Sequence, residues 1–267
     1  MAASAKKTAI VQVSNPVGKP LLSALLSPSS SFSSVHAFVR PTSQMPTPTV
    51  SPEKSFAQHP LDFDKLLSGD QAEAEKLSQV GADVVFITLG TTRAEAGSAQ
   101  AFEKIDRQYV LAAAQAALTG STTTTMTTTT TKPAADKTIV YCSSQAANSS
   151  SLFLYPRSKG LTEEGLAKLA SDVIIFRPGF LAQAERKQPR ALETIFGKLT
   201  GVVSHFSSNV EINVSTLGLA MVKAGQLGSA GLRSQGMGAP PAFKKDEGTD
   251  NTVTVVSNAE AIQLGKQ

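Results

Sequence analysis

Apolar and polar positions along this chain switch between two periods, and the switches lay out a series of strands and helices. Thr8-Ala9-Ile10-Val11-Gln12-Val13 reads as a buried strand and Ser14 to Gly18 as a turn, after which Leu21, Leu22, Leu25 and Leu26 recur at helical spacing. The Ser/Pro cluster from Ser27 to Ser34 predicts a loop. Val35 to Val39 predicts a second strand ending at Arg40-Pro41, residues 42–60 irregular structure, and Gln71 to Val80 a helix. Asp83 to Leu89 is an apolar, β-branched run closed by Gly90, as suits the centre of a parallel sheet. Ala101 to Leu118 predicts one helix with Phe102, Ile105, Tyr109, Ala112 and Ala116 on one face. Thr138 to Cys142 is the next strand, followed by Ser143-Ser144. A helix carrying Lys159 is expected to run to about Ala170, with Pro156 tolerated in its first turn. Val173 to Phe176 and Thr252 to Val256 are further strands, the last followed by a short helix from Asn258.

Strands alternating with helices imply an α/β fold built on a doubly wound parallel sheet. The expected organisation is a single domain over residues 1–267, with a dinucleotide-binding core at 8–180 and a C-terminal, substrate-side part at 181–267. Two inserts interrupt it. One spans 119–137 around Ser121 to Thr131, a tract of nine Thr and one Met from which no core can be built; the other is the Gly/Pro-rich stretch 228–250.

Composition narrows the class. With 267 residues and 41% hydrophobic content the chain can bury a substantial core. A net charge of +4, with no Lys/Arg run longer than two residues, gives no argument for nucleic acid as a partner. The single Cys142 excludes an internal disulfide framework, and its apolar strand neighbours predict a buried, inert thiol. His36, His59 and His205 are scattered and form no metal-ligand spacing. No apolar run is long enough to span a bilayer. The acid-free start with Lys6-Lys7 has the character of a mitochondrial presequence, but the strand pattern from Thr8 leaves little to remove without damage to the fold. Ala2 is not the glycine that N-myristoylation requires.

The candidate chemistry lies in Tyr155-Pro156-Arg157-Ser158-Lys159, preceded by Ser143-Ser144 at a strand end. A Tyr and a Lys four apart lie one above the other on a helix face. A free phenol titrates near ~10, and a close ammonium stabilises the phenolate and lowers that value. This is the equipment of an enzyme that moves a proton while a nicotinamide moves a hydride. The alternative is a helix start with a buried Tyr and a solvated Lys.

The motifs occur in a recognisable order: Leu89-Gly90-Thr91-Thr92-Arg93-Ala94-Glu95-Ala96-Gly97, Lys104-Ile105-Asp106-Arg107, Ser143-Ser144, Ala147-Asn148, Phe153-Leu154-Tyr155-Pro156, Lys159-Gly160 and Phe176-Arg177-Pro178-Gly179. In this order and spacing the chain resembles the fungal "found in mitochondrial proteome" proteins numbered fifty-two, which are atypical short-chain dehydrogenases/reductases. More distantly it resembles the human Tat-interacting oxidoreductase-like protein. The resemblance is strongest from Ala82 to Phe206. It implies a Rossmann-like fold and a nicotinamide dinucleotide site. It also implies a peripheral position on the cytosolic side of the mitochondrial outer membrane.

It further implies roles for individual residues. Tyr155 would be the general acid in reduction and the base in oxidation, and Lys159 would lower its pKa and hold the nicotinamide ribose. Ser144 would bond the substrate oxygen, with Ser143 the alternative. The family's Gly-x-x-Gly-x-x-Gly falls on Gln12, Asn15 and Gly18, so only the last glycine is kept. Asn15 tolerates a left-handed conformation, whereas Pro16 removes an N–H that might have met a phosphate. Arg40, after the second strand, suits a 2′-phosphate and favours NADP over NAD. Leu89, Gly90 and Thr91 would face the cofactor crevice, with Arg93 and Asp106 as a structural pair behind them. Pro178-Gly179 would shape the nicotinamide end, and residues through His205 and Phe206 the substrate side, His205 being structural. The expected ligands are NADP and a small carbonyl or alcohol, and a homodimer is a candidate assembly. The rival reading is a non-enzymatic Rossmann-fold binding protein with a degenerate nucleotide site.

Overall fold

The computed structural model describes residues 7–13, 16–43, 48–119, 134–182, 211–243 and 251–267. Its centre is a seven-stranded sheet in the order β3-β2-β1-β4-β5-β6-β9, every neighbouring pair parallel. The strands are β1 (Lys7–Gln12), β2 (Phe32–Val39), β3 (Ser55–Pro60), β4 (Val84–Ile87), β5 (Ala134–Cys142), β6 (Ala170–Arg177) and β9 (Thr252–Ser257). Two short strands, β7 (Phe180–Ala182) and β8 (Glu211–Asn213), form a separate parallel pair. This is the expected Rossmann-like α/β arrangement, with the order reversing between β1 and β4, where ligands of such sheets sit.

Alternation along the strands divides the core in two. Ala9 and Val11 of β1 and Phe86 of β4 face one layer, made by α1 (Gly18–Leu26), α8 (Val214–Ser234) and α9 (Asn258–Lys266). Ile10, Val85 and Ile87 face the other. That layer includes α2 (Phe63–Leu67), α3 (Gln71–Ser78), α6 (Tyr109–Leu118) and α7 (Leu154–Leu166). Both faces of the sheet are covered, which is why its strands read as near-continuous apolar runs.

Several elements differ from the sequence reading. β2 begins at Phe32, within the expected loop, and residues 55–60 form β3 rather than irregular structure. β3 is the sheet edge, so it lacks an apolar run, and its Pro60 stands at the strand end, where a missing N–H is tolerated. α2, capped by the Asp62 carboxylate, had no counterpart in the hydrophobic pattern. The helix expected over 101–118 is three pieces: α5 (Ala99–Glu103), a π-helical turn over Lys104–Gln108, and α6. α7 stops at Leu166, and β6 is already under way at Ala170. β5 starts at Ala134, inside the expected insert, whose Thr tract lies outside the described residues. The stretch from 228 is helical through Ser234, kinked at Gly228 with φ 67°, and becomes non-helical only afterwards.

Candidate active site

At the carboxyl end of β1 the chain turns into α1. Gly18 opens this helix, and a Cβ there would lie 2.7 Å from Val13 Cγ1 and 3.0 Å from Thr88 Oγ1. Only glycine lets the helix start pack so close to the ends of β1 and β4. Val17 caps α1 without a side-chain hydrogen bond, and its first turn holds no acidic residue. A helix start of this kind favours an anion. Thr88 fastens β4 to β1 by donating its Oγ1 hydrogen to the Gln12 carbonyl at 2.9 Å. Gln12, at the first glycine position, is fully buried, and neither atom of its amide finds a hydrogen-bond partner among the described residues. Asn15 lies outside the described residues. Arg40 is exposed directly beyond β2, at the same sheet edge.

β4 delivers Leu89, Gly90 and Thr91 to this edge. Leu89 is buried, and Gly90 and Thr91 are half-buried. Thr92 and Glu95 then form a reciprocal capping box that starts α4 (Arg93–Ala96), so the motif's Thr and Glu shape the loop's exit. Arg93 is exposed and does not pair with Asp106 as expected. Asp106 is fully buried on the π-turn and its partner is Lys159, with Nζ 2.9 Å from Oδ1.

Lys159 is the centre of the site. Its side chain is 7% exposed. It donates to the Tyr141 hydroxyl at 3.2 Å, and its ammonium lies 5.4 Å from that ring's centroid. Ser158 donates to Asp106 Oδ2 at 3.3 Å, and Thr162 to the Asp106 carbonyl at 3.4 Å, so α7 grips the π-turn at two points. A Cβ on Gly90 would press on the pair, 3.2 Å from Asp106 Oδ1 and 3.4 Å from Lys159 Nζ. Burial disfavours the ammonium, but Asp106, with Tyr141 and Tyr155, outweighs it and holds Lys159 well above the usual lysine value. Burial, partly offset by Lys159, pushes the Tyr141 phenol far up, so that it stays neutral.

Tyr155 stands one turn before Lys159 on α7. It is 40% exposed, with its ring centroid 6.2 Å from that of Phe102. The structural alternative of a buried Tyr and a solvated Lys is thus reversed. The residue that would exchange a proton is open, and the residue that would only supply charge is enclosed. Gly160 is required by packing, because a Cβ there would fall 2.1 Å from Ser149 N. That close contact seats the loop through Asn148 on α7, and Asn148 N donates to the Pro156 carbonyl at 2.9 Å.

The two serines separate cleanly. Ser143 is buried and donates to Glu163 Oε1 at 2.5 Å, and Glu163 also holds Arg177 through both carboxylate oxygens. Ser144 is half-buried, with its Oγ accepting from Ala146 N at 3.2 Å. Ser144, not Ser143, is therefore the serine left toward the edge of the sheet. Pro178 is buried, its carbonyl accepts from Gln145 N at 3.0 Å, and Gly179 N donates to Asn258 Oδ1 at 2.8 Å. Cys142 is half-buried rather than enclosed, and burial raises its thiol to about 11, which keeps it protonated. His205 and Phe206 lie outside the described residues. Sequence reasoning missed Tyr141 and the true partner of Asp106. The aspartate's place in the Lys104-Ile105-Asp106-Arg107 motif was the one available signal.

No family model matches the chain. It is similar to Protein FMP52, mitochondrial, of Candida albicans, at 36% identity over 50% of this chain and 52% of that protein. It is similar to Protein HTATIP2 of Rattus norvegicus, at 34% identity over 62% of this chain and 60% of that protein. These matches thus span little more than half of each relative's length. The fmp52 protein of Aspergillus niger aligns over 97% of both chains at 27% identity. The resemblance carried by the motifs is borne out by these relatives. Among solved structures, an acyl-carrier-protein reductase of Anaplasma phagocytophilum in complex with NAD superposes with a TM-score of 0.55, 13% identity, and 99% and 96% of the two chains covered. The 3-oxoacyl-(acyl-carrier protein) reductase of Brucella melitensis in complex with NAD gives 0.54, 10% identity, and 98% and 99% covered. At these identities the likeness establishes the Rossmann-like fold.

Proposed function

We propose that this chain is an oxidoreductase of the atypical short-chain type that interconverts a small carbonyl and its alcohol with NADP(H). The observation that carries the reading is the buried Lys159 set one helical turn after the exposed Tyr155 on α7. Gly18 and the uncapped start of α1 fit a dinucleotide's pyrophosphate, and Gly90 lets the backbone approach closely beside Lys159. Arg40 would meet a 2′-phosphate, Leu89 and Thr91 the adjoining ribose, and Pro178 the nicotinamide end. When bound, the reduced nicotinamide supplies a hydride to the carbonyl carbon. Tyr155 gives its phenolic proton to the carbonyl oxygen, completing the alcohol, while Lys159 stabilises the phenolate left behind. Ser144 holds the oxygen in place. In oxidation Tyr155 takes the proton back.

Location belongs to the same proposal. Relatives carry "mitochondrial" in their names, and no helix among the described residues is long and apolar enough to cross a membrane. We place the chain on the cytosolic side of the outer membrane as a peripheral protein, with a homodimer as its candidate assembly. A second reading has its own support. Gln12 fills the first glycine position and Pro16 lacks an N–H, which suits a binding protein whose nucleotide site has closed. Calorimetric titration with NADPH and NADH decides between them. Micromolar NADPH binding, weaker for NADH and weakened by Arg40→Ala, supports the enzyme. No binding at millimolar cofactor overturns it in favour of the binder.

A further inference from the structure

The ion pair of Lys159 with Asp106 is buried on both sides. A lysine enclosed by protein without a partner gives up its proton, and buried lysines can titrate several units below normal. A neutral amine could not stabilise a phenolate. Lys159 escapes this because Asp106, itself fully buried, sits 2.9 Å away. The aspartate is placed by a π-turn, an insertion rare in helices and frequent at functional sites. Ser158 and Thr162 of α7 bind that turn, so the acid and the lysine are locked to one another by two elements.

We infer that Asp106 is a positioning residue for proton transfer: from the π-turn it keeps the buried Lys159 ammonium charged and fixed one helical turn from Tyr155. The charged and titratable groups around Lys159 can be named element by element. Asp106 comes from the π-turn, Tyr141 and Cys142 from β5, and Tyr155 from α7, while the β4 loop contributes only Gly90. Glu163, farther along α7, faces Tyr141 but is already neutralised by Arg177. Asp106 is thus the sole carboxylate directly on the ammonium among the described residues. Tyr141 fixes the ammonium's direction with a hydroxyl that burial keeps neutral. The inference rests on the oxidoreductase reading for its purpose, but the charge state of Lys159 can be measured without it.

The test follows Lys159 by NMR of lysine labelled with ¹³C at the ε-carbon, assigned through Lys159→Met. In the parent protein the signal should stay in its protonated position to pH 10. In Asp106→Asn the midpoint should fall by about two pH units or more, a roughly hundred-fold weaker hold on the proton. A Lys159 that keeps its proton in Asp106→Asn as it does in the parent overturns the inference. Because the single variant leaves a buried charge unpaired, Asp106→Asn/Lys159→Met serves as the control that removes both charges. That double variant should unfold in urea near the parent midpoint yet reduce 9,10-phenanthrenequinone with NADPH at least a hundred-fold more slowly. Asp106→Glu should retain most of the rate. Parent-like turnover by the double variant would mean that the pair only stabilises the fold. If the parent binds neither cofactor, the oxidoreductase reading falls, and the lysine titration alone decides whether Asp106 sets the charge.

Discussion

The two ends of the candidate site are built on opposite terms. Around Lys159 the buried charges are paired: the ammonium meets Asp106, Glu163 meets Arg177, and Ser143, Ser158 and Tyr141 add hydrogen bonds. At the end of β1 the fully buried Gln12 amide has no hydrogen-bond partner among the described residues, and Pro16 in the turn beyond it lacks an N–H. Buried polar networks are favourable only when complete. The Lys159 end is therefore held by several partners at once, whereas the Gln12 end carries a penalty that a bound polar group could relieve.

The largest expected effect strikes the Lys159 end. Gly160→Ala puts a methyl 2.1 Å from Ser149 N, against backbone that cannot swing aside. The loop through Asn148 must lift off α7, at a cost of about 3 kcal/mol, the upper part of the usual range for overpacking. Urea unfolding should show a lowered midpoint with an unchanged slope. A parent-like midpoint would mean that this end is looser than the packing indicates.

Next in size is a change of opposite sign at the other end. Gln12→Leu keeps the buried volume roughly constant and removes an unpartnered amide, so it should stabilise the protein by about 1–2 kcal/mol. Gln12→Gly gives back the room that a dinucleotide turn requires, and should tighten NADPH binding about tenfold in calorimetry even as it loosens the fold. If Gln12→Leu destabilises instead, the amide has a structural role and the two ends are built on the same terms.

How much of this could be read in advance follows from burial and sequence distance. β1 and β4 were legible because strands covered on both faces must be apolar throughout. The edge strand β3 was not, because one side of it meets water and its residues are mixed. Helix α8 had no counterpart in the sequence reading, and only its end from Gly228 fell in the expected insert; its earlier glycines act through close approach. A Cβ on Gly218 would lie 2.9 Å from Leu21 N, and one on Gly225 2.6 Å from Phe86 Cζ. Tyr155 and Lys159 announced themselves by local spacing. The partners of Lys159 did not, because Asp106 and Tyr141 reach it from other elements and only the fold makes them neighbours. The expected pairing of Arg93 with Asp106 failed for that reason: nearness in sequence outweighed a partner that sequence could not place.

The smallest effect concerns pH, and it falls on the other side of β1 from the Lys159 cluster, where β2 pairs with the edge strand β3. His36 Nδ1 and His59 Nε2 share a hydrogen bond of 3.0 Å between stacked rings, and Ser34 Oγ holds the other nitrogen of His36. Burial, then the facing His59, lowers the pKa of His36; burial, then Lys76, lowers that of His59. The folded pair therefore resists protons that the unfolded chain accepts near the usual 6.5. Below that point the unfolded state binds more protons, so stability should fall as pH drops from about 6.5 toward 5 and stay flat above about 7.5. Asp64, whose pKa is lowered by its hydrogen bonds with Lys104 and Tyr109, adds its own loss only at lower pH, in the carboxylate range. Urea midpoints measured from pH 8 to 5 should trace this decline in the parent and lose most of it in His59→Gln, which keeps a neutral donor at the same strand position. An equal decline in both proteins would move the titrating group elsewhere.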